Sequence, residues 1–272
     1  MSTFCTASLN YLDPRRPMST AVDVDIRDGR AASLPDWTTA GFELIEHHSG
    51  VSDWRNEHDV ASIHYAELEA LACEMTGATH ALVNGHITRS PGEAARHQDL
   101  GPISFVHSDF AASYVDRIHE SYRHPTPGGS QALQRNGVSA QDVVDASRVV
   151  ILQFWRNIGP AKMDFPIAFC DARSVRADEA RPIPVSNYAG SGFNFEALAV
   201  VAPDDPARHH WYAFPELLPD EAVAFRTFDT DLVASGATFF TPHSAFHDPA
   251  VPVGQPSRVS IELRATCLFA AS

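Results

Sequence analysis

Between positions 56 and 75, the apolar residues Val60, Ile63, Leu68, Leu71 and Met75 recur at about the helical period of 3.6. The pattern predicts a helix over Asn56–Met75 with one face on the core, stopped by Gly77. A shorter helix is expected after position 110, burying Val115, Ile118 and Tyr122. Before residue 50 the chain reads as strand and irregular structure, because Pro14, Pro17 and Pro35 interrupt any long helix. His124–Ser130, rich in Pro, Gly and Ser, reads as a loop, and the polar stretch after it carries no clear period.

From Arg148 onward the texture becomes that of short strands. Val149–Trp155, Pro166–Cys170, His210–Phe214, Ala222–Phe228, Ala237–Thr241 and Arg258–Arg264 are apolar or alternating runs bounded by Pro, Gly and Asp clusters. Many short strands with helices mainly upstream favour a mainly β domain with flanking helices (α+β) built on a two-sheet jelly roll, rather than a parallel α/β sheet. No repeat or linker divides the chain. It is therefore read as one domain, 1–272, with helical decorations mainly before 148 and most core strands after it.

The 272 residues are 44% hydrophobic, enough for one sizeable core. With 20 Lys+Arg against 34 Asp+Glu the formal net charge is −14, which argues against nucleic acid as a partner. Cys5, Cys73, Cys170 and Cys267 lack paired spacing, so no zinc ribbon, redox motif or disulfide framework is expected. The first residues have neither a basic nor an apolar region typical of a signal peptide, and no apolar run is long enough to span a bilayer. The expectation is a cytoplasmic protein with no membrane partner. None of these features specifies an oligomeric state.

The candidate chemistry starts at His107-Ser108-Asp109. In a strand, residues two apart share a face, so this run presents an imidazole and a carboxylate side by side. His243 follows far downstream in Pro242-His-Ser-Ala-Phe246. Two histidines and one carboxylate, with the remaining coordination positions open, form the ligand set of a non-heme iron(II) oxygenase. Arg258, Ser260, Glu262 and Arg264 alternate with Val259, Ile261 and Leu263, giving the last long strand one polar and one aliphatic face. That face reads either as the solvated side of an edge strand or as a barrel interior. In the second case Arg258 would hold a carboxylate through its planar fork, and Ser260 would add a hydrogen bond. His247 competes with His243 for the metal. A His pair four apart could bind metal on a helix, but Pro242 and Pro249 exclude that helix and favour His243.

With these motifs in hand, the chain resembles the AsaB/CmcJ-like hydroxylase/desaturase family of secondary metabolism. The resemblance runs through Thr6–Leu12, Gly41-Phe42, Thr76–Ala78, Val106–Asp109, Phe154–Arg156, Phe165–Val175, His210–Tyr212, Pro219–Glu221, Pro242–Phe246 and Arg258–Arg264. It implies a double-stranded β-helix (cupin-like) core and an oxidoreductase dependent on Fe(II), 2-oxoglutarate and O2. Such a dioxygenase would hydroxylate, desaturate or close a ring in a small-molecule substrate. The resemblance also implies iron on His107, Asp109 and His243, and the 2-oxoglutarate carboxylate on Arg258.

Gln153 stands where members of that family tend to have Asn, so it becomes a candidate for substrate or co-substrate contact. Trp155 and Arg156 face opposite ways on a strand. Trp155 reads as core or pocket wall, and Arg156 as a structural ion pair or a contact to substrate or 2-oxoglutarate. Arg89 could hold an anionic substrate, though an ion-paired arginine is the simpler reading, and His86 is equally ambiguous. His64, on the helix stripe, reads as a satisfied core histidine, and Trp211, Tyr212 and Phe214 as packing residues. Two alternatives stay open. One is a 2-oxoglutarate-independent iron oxidase whose arginine binds the substrate's own carboxylate; the other is a non-catalytic jelly-roll binding module.

Overall fold

The computed structural model describes residues 2–13, 15–16, 18–254 and 256–270. Pro14 and Pro17, expected to break helices, lie outside the described residues. Thirteen strands are found among the described residues: β1 (Thr3–Leu12), β2 (Ser19–Asp28), β3 (Phe42–Glu46), β4 (His80–Arg89), β5 (His107–Ser108), β6 (Arg148–Asn157), β7 (Ile167–Cys170), β8 (Ala180–Tyr188), β9 (Phe193–Val200), β10 (Trp211–Ala213), β11 (Glu221–Asp229), β12 (His243–Ala245) and β13 (Ser260–Phe269). They form two sheets, of order β1-β2-β10-β7-β12-β5-β9-β8 and β3-β11-β6-β13-β4. Among the described residues the strands pair antiparallel except β2 with β10, and a single parallel bridge joins Leu12 to Val201. The architecture is a jelly roll.

Period-two alternation decides which side of the smaller sheet each residue serves. Val150, Leu152 and Phe154 of β6 and Ile261, Leu263 and Ala265 of β13 form an outer core with Leu68 and Ala72 of the helix Tyr65–Thr76. Val149 and Ile151 turn the other way, into the inner core that also holds Leu9, Ile26 and Trp211 of the larger sheet. Fully burying Leu68 contributes about 1.5–3 kcal/mol. The polar face of β13 belongs to the inner side. Because β13 lies between β6 and β4, this face is no solvated edge: Ser260 and Glu262 are buried.

The long helix is present but composite. Asn56 caps Glu57–Asp59 with its side chain, a π-turn over Val60–His64 follows, and Tyr65–Thr76 ends at Gly77 with φ +72°. That left-handed cap strains any residue with a Cβ. The helix Tyr114–Arg123 buries Ile118 and Tyr122, as the period required.

Two expectations give way, and a stretch without a clear period resolves into a helix. The segment read as a loop from His124 holds the start of a helix, Pro127–Asn136, because Thr126 accepts from the Gly129 N–H and Pro127 sits in the first turn. Its polar sequel forms Ala140–Val144, opened by a capping box between Ser139 and Asp142. Ala237–Thr241 is no strand; it follows a helix, Thr230–Ser235, and leads into β12. Strands β4, β8 and β9 were not read from the sequence. Gly85 interrupts β4, and Pro182 and Pro184 disguise β8, which tolerates them as the edge of its sheet. Among the described residues no helix is long and apolar enough to cross a membrane.

Candidate metal centre and co-substrate pocket

β5 and β12 are short, yet their pairing creates the site. His243 lies directly opposite His107 across the ladder, with ring centroids 4.3 Å apart. Asp109 follows two residues after His107 and shares its face. Its Oδ1 lies 3.9 Å from Nε2 of His107 and 3.7 Å from Nε2 of His243. One ligand atom from each of the three residues falls within 4.8 Å of the others.

The nitrogens not aimed at Asp109 are already committed. Nδ1 of His107 donates to the Phe105 carbonyl at 2.7 Å, and Nδ1 of His243 to the Thr241 carbonyl at 3.0 Å. A carbonyl only accepts, so each bond places the ring proton on Nδ1 and leaves the Nε2 lone pair facing the cluster. Burial lowers the pKa of both rings, that of His243 to about 4, and so keeps them neutral. Burial alone would raise Asp109, but Arg264 first and then the two imidazoles hold it below the usual carboxylate range. The result is two neutral nitrogen donors and one anionic oxygen donor converging from one side. Those donors suit a divalent transition metal with open positions opposite.

The carboxylate is itself held. Nε of Arg264 donates to Oδ2 of Asp109 at 2.8 Å, and Nη2 reaches Oε1 of Glu262 at 3.4 Å. Glu262 in turn accepts two bonds from Arg89, at 3.0 and 2.7 Å. The chain Arg89–Glu262–Arg264–Asp109 crosses from the smaller sheet to the larger and fixes which carboxylate oxygen faces the histidines.

Facing the cluster from the smaller sheet is Arg258. It is 4% exposed, and no carboxylate lies within ion-pair distance of it among the described residues. Its Nε donates to Ser260 Oγ at 2.9 Å, its guanidinium lies 5.0 Å from the Trp155 ring centroid, and Nη1 makes only a long contact to the Phe165 carbonyl. Burial, and then the nearby Arg89 charge, lower its pKa to about 9. A buried guanidinium in this position calls for an anion. Gln153 adds an Oε1 that is buried without a partner among the described residues. A pocket of about 20 Å³ joins Arg258, Gln153 and Glu262 to His107, Asp109 and His243. Their chemistry, metal-type ligands at one end and an unpaired guanidinium at the other, is the kind that a chelating dicarboxylate uses.

The other candidates separate cleanly. Trp155 is buried in a core with Phe169 and Phe225 and serves as the platform under Arg258. Arg156 does not reach the site: it donates to the Pro219 carbonyl and to Nδ1 and the carbonyl of His47, and lies over Trp54 on the sheet's outer side. Arg89 is ion-paired. Its five N–H groups go to two Glu262 oxygens, the carbonyls of Asp99 and Gly101, and the Tyr188 hydroxyl. Arg156 lines neither the pocket beside the cluster nor the larger cavity, whereas Arg89 lines both, with all of its donors engaged in the bonds above.

His247 is exposed and bonds only the Val251 carbonyl, so it takes no part. His64 is a satisfied core residue, bonded to Glu67 at 2.9 Å. With His47 and Glu67 it forms a second group of metal-ligating type, but Arg156 Nη2 already sits 2.6 Å from Nδ1 of His47. His86 bonds the Tyr65 hydroxyl. Sequence reasoning placed Glu262 and Arg264 on the polar face of their strand but gave neither a role, because nothing local reveals that Asp109 is the partner of Arg264.

A much larger cavity, of about 950 Å³, opens on the other side of His107 and Asp109 and does not include Arg258. The cluster thus stands between a small polar pocket and a spacious one.

Comparison with known proteins fits this arrangement. The family described as the oxidoreductase/YMDC permease-like domain matches residues 8–268. The hydroxylase/desaturase CTB9 of Cercospora beticola is 27% identical over 243 residues, covering 83% of this chain and 69% of that protein. The alpha-ketoglutarate-dependent dioxygenase phiK of Fungal sp. is 27% identical over 236 residues, or 84% of this chain and 78% of that protein. Among solved structures, the iron and alpha-ketoglutarate-dependent endoperoxidase NvfI, in a structure described as having a different conformation, superposes with a TM-score of 0.77 over 100% of this chain and 99% of that one. A protein of that name is curated from Aspergillus novofumigatus. At 20% sequence identity the superposition establishes a common fold.

Proposed function

The chain belongs to the family of the oxidoreductase/YMDC permease-like domain, and from that membership we propose that it is an Fe(II)- and 2-oxoglutarate-dependent dioxygenase oxidising a C–H bond of a small secondary metabolite. The observation that carries this reading is the pairing of a donor set of two neutral imidazoles, His107 and His243, and the Asp109 carboxylate with Arg258, buried without a carboxylate partner, in one pocket. Relatives named as hydroxylase/desaturases and as alpha-ketoglutarate-dependent dioxygenases support it.

In this reading His107, Asp109 and His243 hold the metal, and Arg258 with Ser260 holds the distal carboxylate of 2-oxoglutarate. Ser260 Oγ accepts from Arg258 and keeps its own O–H free to donate to the same carboxylate. Trp155 supports the guanidinium from behind, and Gln153 offers its amide at the pocket wall. Bound iron would supply the activation of O2 that side chains lack, with succinate and CO2 formed as one substrate C–H is oxidised. The protein orients the donors, neutralises the co-substrate and excludes water through the packing of Ile103, Ile167 and Ala245 around the pocket. Arg258 opens onto the small pocket and not the large cavity, which favours a co-substrate on this arginine over a bulky substrate's own carboxylate.

The test is equilibrium binding to metal-free protein. One Fe(II) per chain should bind, and 2-oxoglutarate should bind in the presence of the metal. Both should be lost in His107→Ala and Asp109→Ala. Retained iron binding in either variant would sink the assignment.

A further inference from the structure

The dioxygenase reading leaves the substrate open, and the large cavity beside the donor set narrows it. Its volume of about 950 Å³ is near the top of the about 300–1,000 Å³ typical of small-molecule sites. One wall is a run of aromatic rings. Tyr114 stacks on Phe110 with centroids 3.7 Å apart, Phe110 meets Phe195 at 6.1 Å, and Phe195 meets Phe193 at 5.2 Å and Tyr188 at 5.9 Å. Extended π-faces of this kind pack best against flat or fused apolar rings.

The charges at this wall cancel. Arg89 and Arg264 are matched by Glu262 and Asp109, two cations against two carboxylates. All five donors of Arg89 are used, and Arg117 at the rim donates to Glu120 and to the Asn194 carbonyl. A substrate carboxylate on this wall would face Asp109 and Asp99, and every arginine there already has a carboxylate partner, Glu120 in the case of the exposed Arg117 at the rim. One polar anchor remains. Nη1 of Arg264 has no hydrogen-bond partner among the described residues, and it can donate to a neutral oxygen.

We infer that the substrate is a neutral, multi-ring, largely apolar molecule bearing a carbonyl or ether oxygen, stacked on the Phe110/Tyr114/Phe195 wall with that oxygen on Arg264. This rests on the dioxygenase reading only for what happens to the bound molecule; the binding itself is separable from it.

The experiment therefore uses metal-free protein, with Nile red as a neutral reporter of the cavity. Two competitors are compared: progesterone, and the same ring system carrying a carboxylate in place of the acetyl group. Progesterone should displace the dye, and the carboxylate should be at least about tenfold weaker. Val185→Trp and Ser121→Trp, which fill the cavity from two different walls, should each weaken progesterone by about tenfold or more while Fe(II) titration is unchanged. Equal or tighter binding of the carboxylate overturns neutrality. Failure of progesterone to bind a protein that still takes up one Fe(II) overturns the substrate class and leaves the dioxygenase reading standing. Progesterone binding without any Fe(II) uptake does the reverse.

Discussion

Nε of Arg264 donates to Oδ2 of Asp109 at 2.8 Å across the two sheets, although 155 positions separate the residues along the chain. The bond leaves Oδ1 alone to face both histidine Nε2 atoms. Arg264→Gln should therefore weaken Fe(II) binding about 10–100-fold, the usual cost of losing such an orienting partner. Isothermal titration of metal-free protein checks this. Unchanged affinity would mean that Asp109 orients itself.

Arg258→Ala should raise the dissociation constant of 2-oxoglutarate by about 30-fold or more, since a buried charge-assisted contact is worth about 2–5 kcal/mol. Fe(II) affinity should stay within about twofold. Arg258→Lys should recover only part of the loss, because an ammonium cannot form the two-pronged contact. Titrating the co-substrate into iron-loaded variants gives the answer, and an unaltered constant would place the anchor elsewhere.

His243 and His247 lie four residues apart yet occupy different worlds, one buried against His107 and one exposed. His243→Ala should abolish stoichiometric iron binding. His247→Ala should leave it intact and change stability by less than about 0.5 kcal/mol. Metal analysis of both variants after anaerobic reconstitution is sufficient.

Burial pushes the pKa of His64 down to about 4, against an opposing pull from Glu67. A depressed histidine pKa means that the unfolded chain takes up the proton first. This contribution to stability is complete above about pH 6.5 and is lost as pH falls towards 4, by at most about 3 kcal/mol. Denaturant unfolding across that window should show stability rising with pH, and His64→Gln should make the slope shallower by the share that His64 contributes. A slope unchanged by the substitution would assign the effect to other histidines.

Arg156→Met should destabilise the fold by about 1–3 kcal/mol, because it strips bonds from the Pro219 carbonyl and His47. It should leave Fe(II) and 2-oxoglutarate affinities unchanged. A selective loss of co-substrate binding would return this arginine to the site.

Much of the site was legible because strand periodicity is local. Alternation placed His107 with Asp109, put Ser260, Glu262 and Arg264 on one face of β13 with Arg258 just before it, and set Trp155 and Arg156 on opposite sides of β6. Helical periodicity likewise found the faces of Tyr65–Thr76 and Tyr114–Arg123. Where local signals conflict, the reading failed. Thr126-Pro127-Gly128-Gly129 is composed like a loop but caps a helix, and the prolines of β8 are tolerated only because that strand is an edge.

By itself the sequence determined the strand-rich character of the chain, the side on which each alternating residue emerges, and the donor types available to a metal. Only the tertiary structure decided that His243 registers opposite His107, that Arg264 rather than solvent neutralises Asp109, and that all donors of Arg89 are spoken for. The reason is physical. A side chain's direction follows from the dihedrals of its own few residues, whereas its partner depends on the register and spacing of sheets assembled from strands more than a hundred residues apart.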